Sequence, residues 1–500
     1  MHKFKILLVY SNIPMMLVTP LSISTFAWIL KREGFEVELF DTTSYGDGDL
    51  SSPQNRVKYL QARNLFSEKN LKELKSTDML SDLKGHIESF SPKLILYSFP
   101  EDGLNRALQM LRISNSYNIP TVVGGILATS VPEWLILFNE INMLCVGEGE
   151  ELVKEVALKL SMNQDVSSVR NLWVKTADGS IKRNPIRPYV SLDNYSTDFT
   201  MFNKDRFIRP MGGKIHRALP IETYRGCPNS CTFCNSPIHN RMAKEQKRTY
   251  LRRRSTEGIK REIEHLINDY NINLLYIIDD SFLQRPKGEI EAFIDMYKEY
   301  KVHFWFNTRP ESCSLETLEK LKEVGLFRVS FGIESGNEDF RRKRLHRNIS
   351  NEKLLHYFND IIYKSGIHYS INCIIGFPYE SREMVFDTIK YVKKVKGYDS
   401  ITVSIYTPYR GSVLREKAIE EGWLDPKALT VHTTDTSMLN MPSLTSSQID
   451  GLMRTFNLYV EFDESEWPEI EKAEQLTKEG DDAYKEYSTE YRKRLWGEEK

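Results

Sequence analysis

Three cysteines within eight residues are the most chemically informative feature of this 500-residue sequence. Cys227, Cys231 and Cys234 have the spacing Cys-x3-Cys-x2-Cys and directly follow a predicted strand at 219–224. Three thiolates on one short loop can hold three irons of a four-iron, four-sulfur cluster, which leaves the fourth iron open to a chelating small molecule. The alternative is a zinc ion held by the three thiolates and His239, although the spacing is unusual for such a site.

Four short runs beyond the cysteines lie at the ends of predicted strands. They are YIIDDSF at 276–282, FGIESG at 331–336, IIGFPYE at 374–380 and PYRGS at 408–412. Taken singly, their residues have ordinary interpretations, such as a strand-end cap for Asp279 or a solvated loop acid for Glu334. Arg309, at another strand end, has the ordinary interpretation of a surface ion pair. Because the carboxyl ends of successive strands meet at one end of a βα barrel, we expect these residues to converge on one site.

The phrase TYRGCPNSCTFC at 223–234 resembles the radical S-adenosylmethionine (SAM) superfamily, in which an aromatic residue precedes the third cysteine. In that family the open iron binds SAM, and an electron from the cluster cleaves SAM to a 5′-deoxyadenosyl radical that abstracts hydrogen from a substrate. The resemblance implies a [4Fe–4S] cluster on Cys227, Cys231 and Cys234. It also implies SAM contacts from Phe233, Asp279, Arg309, Glu334, Ser335 and Gly376.

Glycine-rich strand ends in the first 160 residues are similar to those of the cobalamin-binding class of radical SAM enzymes. Gly124 and Gly125 follow one predicted strand, and the run VGEGE at 146–150 follows another. A corrin ring needs close backbone approach, which residues without a Cβ atom permit. The resemblance implies cobalamin contacts from Ser11, Asn12, Thr43, Ser98, Gly124, Gly125, Gly147, Glu148 and Gly149.

One departure from the cobalamin pattern concerns the lower face of cobalt. Folds that ligate cobalt carry Asp-x-His-x-x-Gly, whereas this chain has DTTSYG at 41–46, with Thr43 in place of the histidine. We therefore expect no imidazole from this loop to reach cobalt. The cobalamin-dependent radical SAM class often lacks this histidine, so cobalamin remains expected, and a domain that has lost the cofactor remains an alternative.

Alternation of apolar strands with amphipathic helices predicts an α/β protein. A doubly wound, Rossmann-like domain at 1–160 would bind cobalamin, and a connector with a small hairpin would follow at 161–215. Six strand–helix units at 216–428 predict a partial (βα)6 radical SAM barrel, and 429–500 would form a small helical C-terminal region. The predicted barrel strands lie at 219–224, 274–278, 303–307, 328–331, 368–375 and 400–404.

Charge and composition exclude several classes of protein. The 68 Lys and Arg residues nearly balance the 69 Asp and Glu residues, so no nucleic acid partner is expected. The basic run at 241–254 favours a solvated helix entry, with an anionic ligand as the alternative. The uncharged stretch at 6–30 is interrupted by Asn12, Pro14 and Pro20, so it predicts a βα unit and not a membrane span. Six cysteines are too few for a disulfide scaffold, which favours a cytoplasmic protein.

The resemblance implies a methyltransferase acting at an unactivated carbon or phosphorus centre. Its partners would be a small-molecule or peptide substrate and an external electron donor of the flavodoxin or ferredoxin type. One alternative keeps the radical step but ends in cyclisation, rearrangement or dehydrogenation, and another is a non-catalytic metal- or cobalamin-binding regulator. A methylthiotransferase would need three further cysteines in the first 160 residues, which contain only Cys145.

Overall fold

The computed structural model describes residues 4–46, 51–63, 75 and 77–497. The first half of the chain forms a seven-stranded sheet in the order β2-β1-β3-β4-β5-β6-β7. Its strands are β1 (Lys5–Tyr10), β2 (Glu36–Asp41), β3 (Leu94–Ser98), β4 (Thr121–Gly124), β5 (Met143–Cys145), β6 (Leu172–Lys175) and β7 (Ile181–Arg183). The first five are parallel, and β6 and β7 form an antiparallel hairpin that extends the sheet beyond β5.

Helices cover both faces of this first sheet. They are α1 (Leu21–Arg32), α2 (Ser52–Lys58), α3 (Met79–Phe90), α4 (Leu104–Ser116), α5 (Ile126–Ser130), α6 (Pro132–Leu135) and α7 (Glu150–Ser161). Strand β1 is apolar from Ile6 to Val9 because both of its faces are buried there. Ile6 and Leu8 pack into one hydrophobic cluster, while Leu7 and Val9 pack into a second one. This arrangement is the predicted doubly wound domain.

The second sheet is curled and has the order β16-β15-β14-β13-β12-β9-β8. Its strands are β8 (Ile208–Met211), β9 (Lys214–Ile221), β12 (Leu274–Ile277), β13 (His303–Thr308), β14 (Leu326–Glu334), β15 (Tyr369–Ile375) and β16 (Ser400–Ile405). A separate small pair joins β10 (Tyr224–Arg225) to β11 (Arg252–Arg253). The six strands from β9 to β16 are parallel, as the sequence predicts, and β8 runs antiparallel along β9.

The helices that accompany the second sheet are α8 (Ser236–Glu245), α9 (Thr256–Tyr270), α10 (Lys287–Tyr297), α11 (Leu315–Glu323), α12 (Glu338–Lys343), α13 (Asn351–His356), α14 (Tyr363–Ser365), α15 (Arg382–Val392) and α16 (Val413–Glu420). Helices α9, α10 and α11 pack on its convex face, whereas Met242 of α8 packs against the core of the first domain. A π-helical turn at Tyr357–Ile362 joins α13 to α14. On the convex face Phe293 of α10 packs edge-on against Phe304 of β13. The opposite, concave face is the barrel interior.

Three helices complete the described chain: α17 (Ser446–Glu461), α18 (Trp467–Glu474) and α19 (Lys478–Trp496). Helix α17 packs against β16 and α15 and buries Ile449, Leu452 and Phe456. Its Asn457 side chain donates a hydrogen bond to the Leu60 carbonyl, just beyond α2 (2.9 Å). The C-terminal region therefore contacts both halves of the molecule. None of the helices that the structure describes combines the length and apolar character needed to cross a membrane.

Candidate active site at the cysteine loop and neighbouring strand ends

Asp279 follows β12 and fixes the chain that leads into the cysteine loop. Its carboxylate accepts hydrogen bonds from the backbone N–H groups of Thr223 (2.8 Å) and Tyr224 (3.0 Å) and pairs with Arg285. Burial raises the pKa of this carboxyl, against the opposing effects of Arg285 and the hydrogen bonds. Asp279, predicted to contact SAM, therefore directs its carboxylate at the segment that carries the cysteines.

The cysteine loop begins at Gly226, where any other residue type would strain the backbone. Gly226 has a φ of +103°, and a Cβ atom there would lie 2.9 Å from the Tyr250 ring. Positive φ is easily adopted only by glycine. The turn at Gly226 leads directly into Cys227, and α8 begins two residues after Cys234.

Each of the three cysteine sulfur atoms has an N–H group within hydrogen-bond distance. Cys227 Sγ accepts from the Asn229 side chain (3.2 Å), Cys231 Sγ from Arg309 Nη2 (2.7 Å) and Cys234 Sγ from the Ser236 backbone (3.4 Å). Burial raises the pKa of Cys231, and that of Cys234 to about 11. N–H donors are suited to thiolates that ligate iron, because metal coordination deprotonates the thiols outright. The donor set therefore fits an iron–sulfur cluster.

The zinc alternative required His239 as a fourth ligand. The His239 ring stacks on the Tyr250 ring, with centroids 4.6 Å apart and planes 10° apart. Within the described ranges, no three His, Cys, Asp or Glu side chains are grouped so that they could hold one metal ion. His239 thus contributes to the packing behind the loop.

Glu334, at the end of β14, lies close to the cysteine loop. Its carboxylate is 2.6 Å from Arg347 Nη1, and burial raises its pKa while Arg347 and Arg309 act to lower it. The φ of Glu334 is +65°, an uncommon conformation for a residue with a side chain. Since Arg309 contacts Cys231 and also acts on Glu334, the structure brings together three residues that the sequence predicts for one site.

Ser335 is positioned differently from its neighbour Glu334. It is fully buried, and its Oγ lies 3.5 Å from the Thr388 hydroxyl of α15. The same oxygen accepts a hydrogen bond from the Asn337 backbone (3.3 Å). The structure therefore directs this hydroxyl, predicted to contact SAM, toward α15.

The loop after β15 is held by a buried acid that the sequence analysis did not single out. Glu380 Oε2 accepts hydrogen bonds from the backbone N–H groups of Gly376 (2.6 Å) and Phe377 (3.2 Å). Burial raises the pKa of Glu380 to about 8. The Phe377 ring lies 5.5 Å from that of Phe233, the aromatic residue before the third cysteine. Gly376 and Phe233 are thus on adjoining segments.

In the first domain, Thr43 is enclosed by polar groups. Its hydroxyl donates to Asp41 Oδ1 (2.7 Å), accepts from the Asn12 side chain (2.7 Å) and contacts the Arg206 guanidinium. Arg206 also pairs with Asp41 Oδ2 at 2.6 Å. A cavity of about 480 Å³ opens beside Asp41, Thr43 and Arg206. The position of the missing histidine therefore lies at a cavity wall.

The other residues predicted for cobalamin lie on the neighbouring strand-end loops. Ser11 is fully buried and donates from its Oγ to the Gly103 carbonyl (3.0 Å). Gly125 has a φ of +104°, and a Cβ atom there would lie 3.5 Å from Ser98 Oγ. Gly124 ends β4 beside Ser98, the last residue of β3. Ser98, Gly124 and Gly125 therefore share the carboxyl edge of the sheet, where ligands of doubly wound folds bind.

An ion-pair network joins the glycine loop of the first domain to the cysteine loop. Arg225 Nη1 lies 2.8 Å from both Glu148 Oε1 and Glu150 Oε1, and Nη2 lies 2.8 Å from Glu222 Oε2. Arg252 also pairs with Glu148. Glu148, predicted to contact cobalamin, therefore has its carboxylate engaged by two arginines. The sequence analysis missed Arg225, although it lies within the phrase that carries the cysteines.

A second contact joins the two domains at the PYRGS run. The buried carboxylate of Glu101 accepts a hydrogen bond from the Arg410 backbone (2.9 Å) and another from the Thr430 hydroxyl. Glu101 lies three residues after Ser98, so the loop after β3 is attached to the end of the barrel. Both contacts join strand-end loops of the first domain to the barrel.

A family comparison identifies the central part of the chain. Residues 221–392 match the model of the Radical SAM superfamily. This range contains the three cysteines and the ends of β12 to β15. This part of the chain is a radical SAM domain, so the resemblance inferred from the cysteine phrase is confirmed.

Two curated methyltransferases are similar to a longer part of the chain than the radical SAM domain. An uncharacterized methyltransferase of Pyrococcus horikoshii is 26% identical over 402 residues, covering 76% of this chain and 81% of that protein. Cytidylyl-2-hydroxyethylphosphonate methyltransferase of Streptomyces wedmorensis is 22% identical over 485 residues, covering 88% of this chain and 85% of that protein. The similarity therefore extends into the region outside the barrel.

Two solved structures share the architecture. OxsB, a cobalamin-dependent SAM radical enzyme solved with aqua-cobalamin and SAM, superposes with a TM-score of 0.65 at 15% identity, covering 98% of this chain and 71% of OxsB. TsrM, a radical SAM methyltransferase from Kitasatospora setae, superposes with a TM-score of 0.60 at 17% identity, covering 93% of this chain and 86% of TsrM. At these identities the likeness shows a shared fold. The predicted fold class, a doubly wound domain followed by a partial barrel and a helical region, is confirmed.

Proposed function

We propose that this protein is a cobalamin-dependent radical SAM methyltransferase that acts at an unactivated carbon or phosphorus centre of a small molecule or peptide. The radical SAM domain and the relatives named as methyltransferases support the proposal. The observation that carries it is the contact between Arg225, two residues before the first cysteine, and Glu148 of the glycine loop (2.8 Å). A methyl donor held by the first domain and a radical formed in the barrel must act on the same substrate, so the two loops must be neighbours.

The residues of the chain would have separate tasks in this reaction. When bound, the cluster and SAM supply a hydrogen-abstracting radical, and cobalamin supplies a methyl group. Cys227, Cys231 and Cys234 would hold the cluster, and the Arg309 guanidinium would stabilise the Cys231 thiolate through its charge. The rings of Phe233 and Phe377 would form an apolar wall that keeps water from the radical.

The proposal includes an external electron donor of the flavodoxin or ferredoxin type. The remaining cysteines of the described chain, Cys145, Cys313 and Cys373, are buried and lie on β5, after the turn at Pro310–Ser312 and on β15, so they belong to separate elements. Free thiols that ligate iron also suit a reducing compartment, so a cytoplasmic location is part of the proposal. Reduction of the cluster by purified flavodoxin and its reductase, compared with dithionite, would test the donor.

The proposed function is tested on anaerobically reconstituted protein loaded with cobalamin. After reduction with dithionite, we expect a cluster signal in electron paramagnetic resonance, reductive cleavage of SAM to 5′-deoxyadenosine, and transfer of a deuterated methyl group from SAM to the corrinoid fraction. Cys231→Ala should lose the cluster signal and the cleavage of SAM. Cys313→Ala, a cysteine change outside the loop, should retain both.

Two results would contradict this assignment. If cobalamin binds but no labelled methyl group reaches it, the radical reaction without methyl transfer takes its place. If SAM is not cleaved by wild-type protein with an intact cluster, the protein is a metal- or cobalamin-binding regulator.

A further inference from the structure

The cysteine loop (226–234) reaches the protein surface beside two basic segments. Pro228 and Ser230 of this loop are exposed, and the three cysteines are partly buried beneath them. One basic segment, 241–248, follows the loop in sequence and contains four cations and one acid. The other, RRKRLHR at 341–347, begins within α12 and continues beyond its end. The sequence analysis did not single out this second segment.

The first segment lies against the loop at Cys227. Asn240 Nδ2 of α8 donates a hydrogen bond to the Cys227 carbonyl (2.6 Å). The next residue, Arg241, is exposed, and its guanidinium donates to the Gly411 carbonyl (3.4 Å). Residues three or four apart share a face of a helix, so the exposed Lys244 lies on the same face as Asn240 and Arg241. Two exposed cations of α8 therefore lie beside the loop.

Thr232, between the second and third cysteines, joins the loop to two further segments. Its hydroxyl donates to the Arg344 carbonyl (2.6 Å), and its own carbonyl accepts from the Leu414 backbone N–H of α16 (3.1 Å). Arg344 is exposed, and its guanidinium lies over the Tyr379 ring, 4.2 Å from the ring centroid. Val413, the residue before Leu414, is an apolar side chain that is 44% exposed. A cation and an apolar side chain thus accompany Thr232 at the surface.

The exposed side chains that these contacts bring together are called the loop face, which consists of Arg241, Lys244, Arg344 and Val413. None of its three cations has a carboxylate partner within the described ranges. The residues next to Arg344 differ, because Arg342 pairs with Glu338 and Lys343 pairs with Asp339. The charges of the loop face are therefore available to a partner.

Positive charge is concentrated around the loop. Lys247 and Arg248 extend it beyond the end of α8, and both are exposed. Exposed acids of the same and adjoining segments are fewer, namely Glu245, Glu416 and Asp280. The whole chain, in contrast, carries a net charge of −1. A local positive patch on a protein of balanced charge favours association with an acidic partner and speeds the encounter.

We propose that the loop face is the docking surface for an acidic one-electron carrier protein, such as a flavodoxin or a ferredoxin. The carrier loses one electron and the cluster gains it, and no atom is transferred. Docking at this surface brings the carrier next to the loop that carries all three cysteines. This assignment rests on the proposed function, because the cysteines are taken to hold a cluster that must be reduced.

The composition of the loop face fits a protein partner better than a nucleic acid. Protein interfaces combine an apolar centre with a polar rim and are enriched in arginine. Val413 supplies the apolar part, and Arg241 and Arg344 supply charge next to it. Binding to nucleic acid depends mainly on contacts between cations and phosphates, which need no exposed apolar side chain.

Binding and reduction are measured separately with purified flavodoxin. Oxidised flavodoxin is titrated calorimetrically into protein loaded with the cluster, and reduction of the cluster by flavodoxin hydroquinone is followed by stopped-flow absorbance. We expect Arg241→Glu combined with Arg344→Glu to weaken binding and slow reduction about tenfold or more, because attraction is replaced by repulsion. Added NaCl should slow the reduction of wild type and affect the double variant much less.

A third substitution tests the apolar part of the loop face. Val413 is the first residue of α16, where an acidic side chain interacts favourably with the helix dipole. Val413→Glu should therefore preserve the helix and still slow reduction by flavodoxin, because it places a negative charge in the interface. Val413→Ile, which keeps the apolar surface, should leave the rate near that of wild type.

Three controls separate docking from the integrity of the loop. Arg261→Glu makes the same charge change at an exposed residue of α9 and should leave flavodoxin binding unchanged. Arg241→Lys combined with Arg344→Lys keeps both charges and should retain most of the rate. Reduced methyl viologen is a small cation that needs no docking surface, so it should reduce the double glutamate variant as fast as wild type.

Four results would overturn the proposal. The first is equal flavodoxin affinity and reduction rate in wild type and the double glutamate variant. The second is a wild-type cluster that methyl viologen reduces but neither flavodoxin nor a ferredoxin does. The third is slow reduction of the double variant by methyl viologen as well, which would assign the two arginines to the structure of the loop. The fourth is loss of binding to a single-stranded RNA oligonucleotide with an unchanged flavodoxin rate, which would assign the surface to nucleic acid.

Failure of the proposed function would be visible separately, because these measurements use neither SAM nor cobalamin. If flavodoxin reduces wild type faster than the double variant, but the reduced protein does not cleave SAM, the proposed function fails while the docking surface stands.

Discussion

The guanidinium of Arg225 lies 2.8 Å from the carboxylate of Glu148, although 77 residues separate them and Glu148 lies in the loop after β5 whereas Arg225 lies on β10. Glu150 and Glu222 complete the surroundings of this guanidinium. The side chains of Arg225, Glu148 and Glu150 are mostly buried, with exposures of 19%, 11% and 8%. The residue that leads into the cysteine loop is thus held by the loop predicted for cobalamin.

Removing Arg225 should destabilise the protein strongly. Arg225→Met leaves three mostly buried carboxylates without their shared partner, and breaking a buried pair in this way costs about 3 kcal/mol or more. Adding Glu150→Gln to Arg225→Met should recover part of that loss, because one unpaired charge is removed. Urea unfolding of the four forms in a double-mutant cycle would measure the coupling. Additive effects of the two changes would show that the pair of Arg225 and Glu150 contributes nothing to the free energy of unfolding.

The same network predicts loss of stability in acid. Burial acts to raise the pKa of Glu148, but the guanidiniums of Arg252 and Arg225 hold that pKa below its ordinary value. A carboxyl whose pKa is lower in the folded state stabilises the protein above its unfolded pKa, and that contribution disappears as pH falls through the folded pKa. When thermal unfolding is measured between pH 3 and 6, the unfolding temperature should therefore fall more steeply with decreasing pH in wild type than in Glu148→Gln. Parallel curves would exclude this carboxyl as the cause.

Glu380 should have the opposite effect on the pH dependence of stability, because it stabilises the folded protein in acid and not in base. Burial raises its pKa to about 8, so the folded protein holds a proton that the unfolded chain releases above its ordinary pKa of 4.5. Stability then falls as pH rises between these values, by up to about 1.4 kcal/mol per pH unit for this one group. Glu380→Gln should remove that slope, measured by urea unfolding at pH 5 to 8. An unchanged slope in the variant would show that Glu380 is ionised in the folded protein.

Local patterns in the sequence were sufficient for the parallel strands of both sheets and for the cysteine loop, whereas β8 and the pair of β10 and β11 were not predicted. Strand β1 could be recognised because a strand buried on both faces is an unbroken apolar run, and the cysteines because their spacing is local. The hairpin at Leu172–Lys175 and Ile181–Arg183 was expected in a connector, and its position as an extension of the first sheet depends on pairing with the distant β5. No local pattern reports such pairing.

Side-chain direction was likewise beyond the sequence. Asp279 was predicted to contact SAM, and the sequence did not show that its carboxylate holds Thr223, Tyr224 and Arg285. Arg206 was not predicted at all, because its partner Asp41 is 165 residues away. Both outcomes depend on which groups tertiary packing places beside each acid.

The histidine-free loop predicts a specific magnetic signature. Thr43 cannot ligate cobalt, so cob(II)alamin bound to wild type should show no nitrogen splitting from a protein imidazole in electron paramagnetic resonance. Cobinamide-loaded protein gives the same test without the nitrogen of the nucleotide tail. Thr43→His combined with Arg206→Ala, which frees the space that Arg206 fills, is the positive control and should introduce the splitting. Nitrogen splitting in wild type loaded with cobinamide would reveal another protein ligand.

Arg309 should tune the reduction potential of the cluster. Its Nη2 lies 2.7 Å from Cys231 Sγ, and a positive charge at that distance stabilises the more negative, reduced cluster. Arg309→Met should therefore lower the midpoint potential by some tens of millivolts, and Arg309→Lys should lower it less because the charge remains. Redox titration followed by electron paramagnetic resonance measures the shift, with Arg261→Met as the control at an exposed position. A potential that is the same in Arg309→Met and wild type would mean that the guanidinium turns away from the sulfur once the cluster is in place, and its role would then be limited to Glu334 and Glu311.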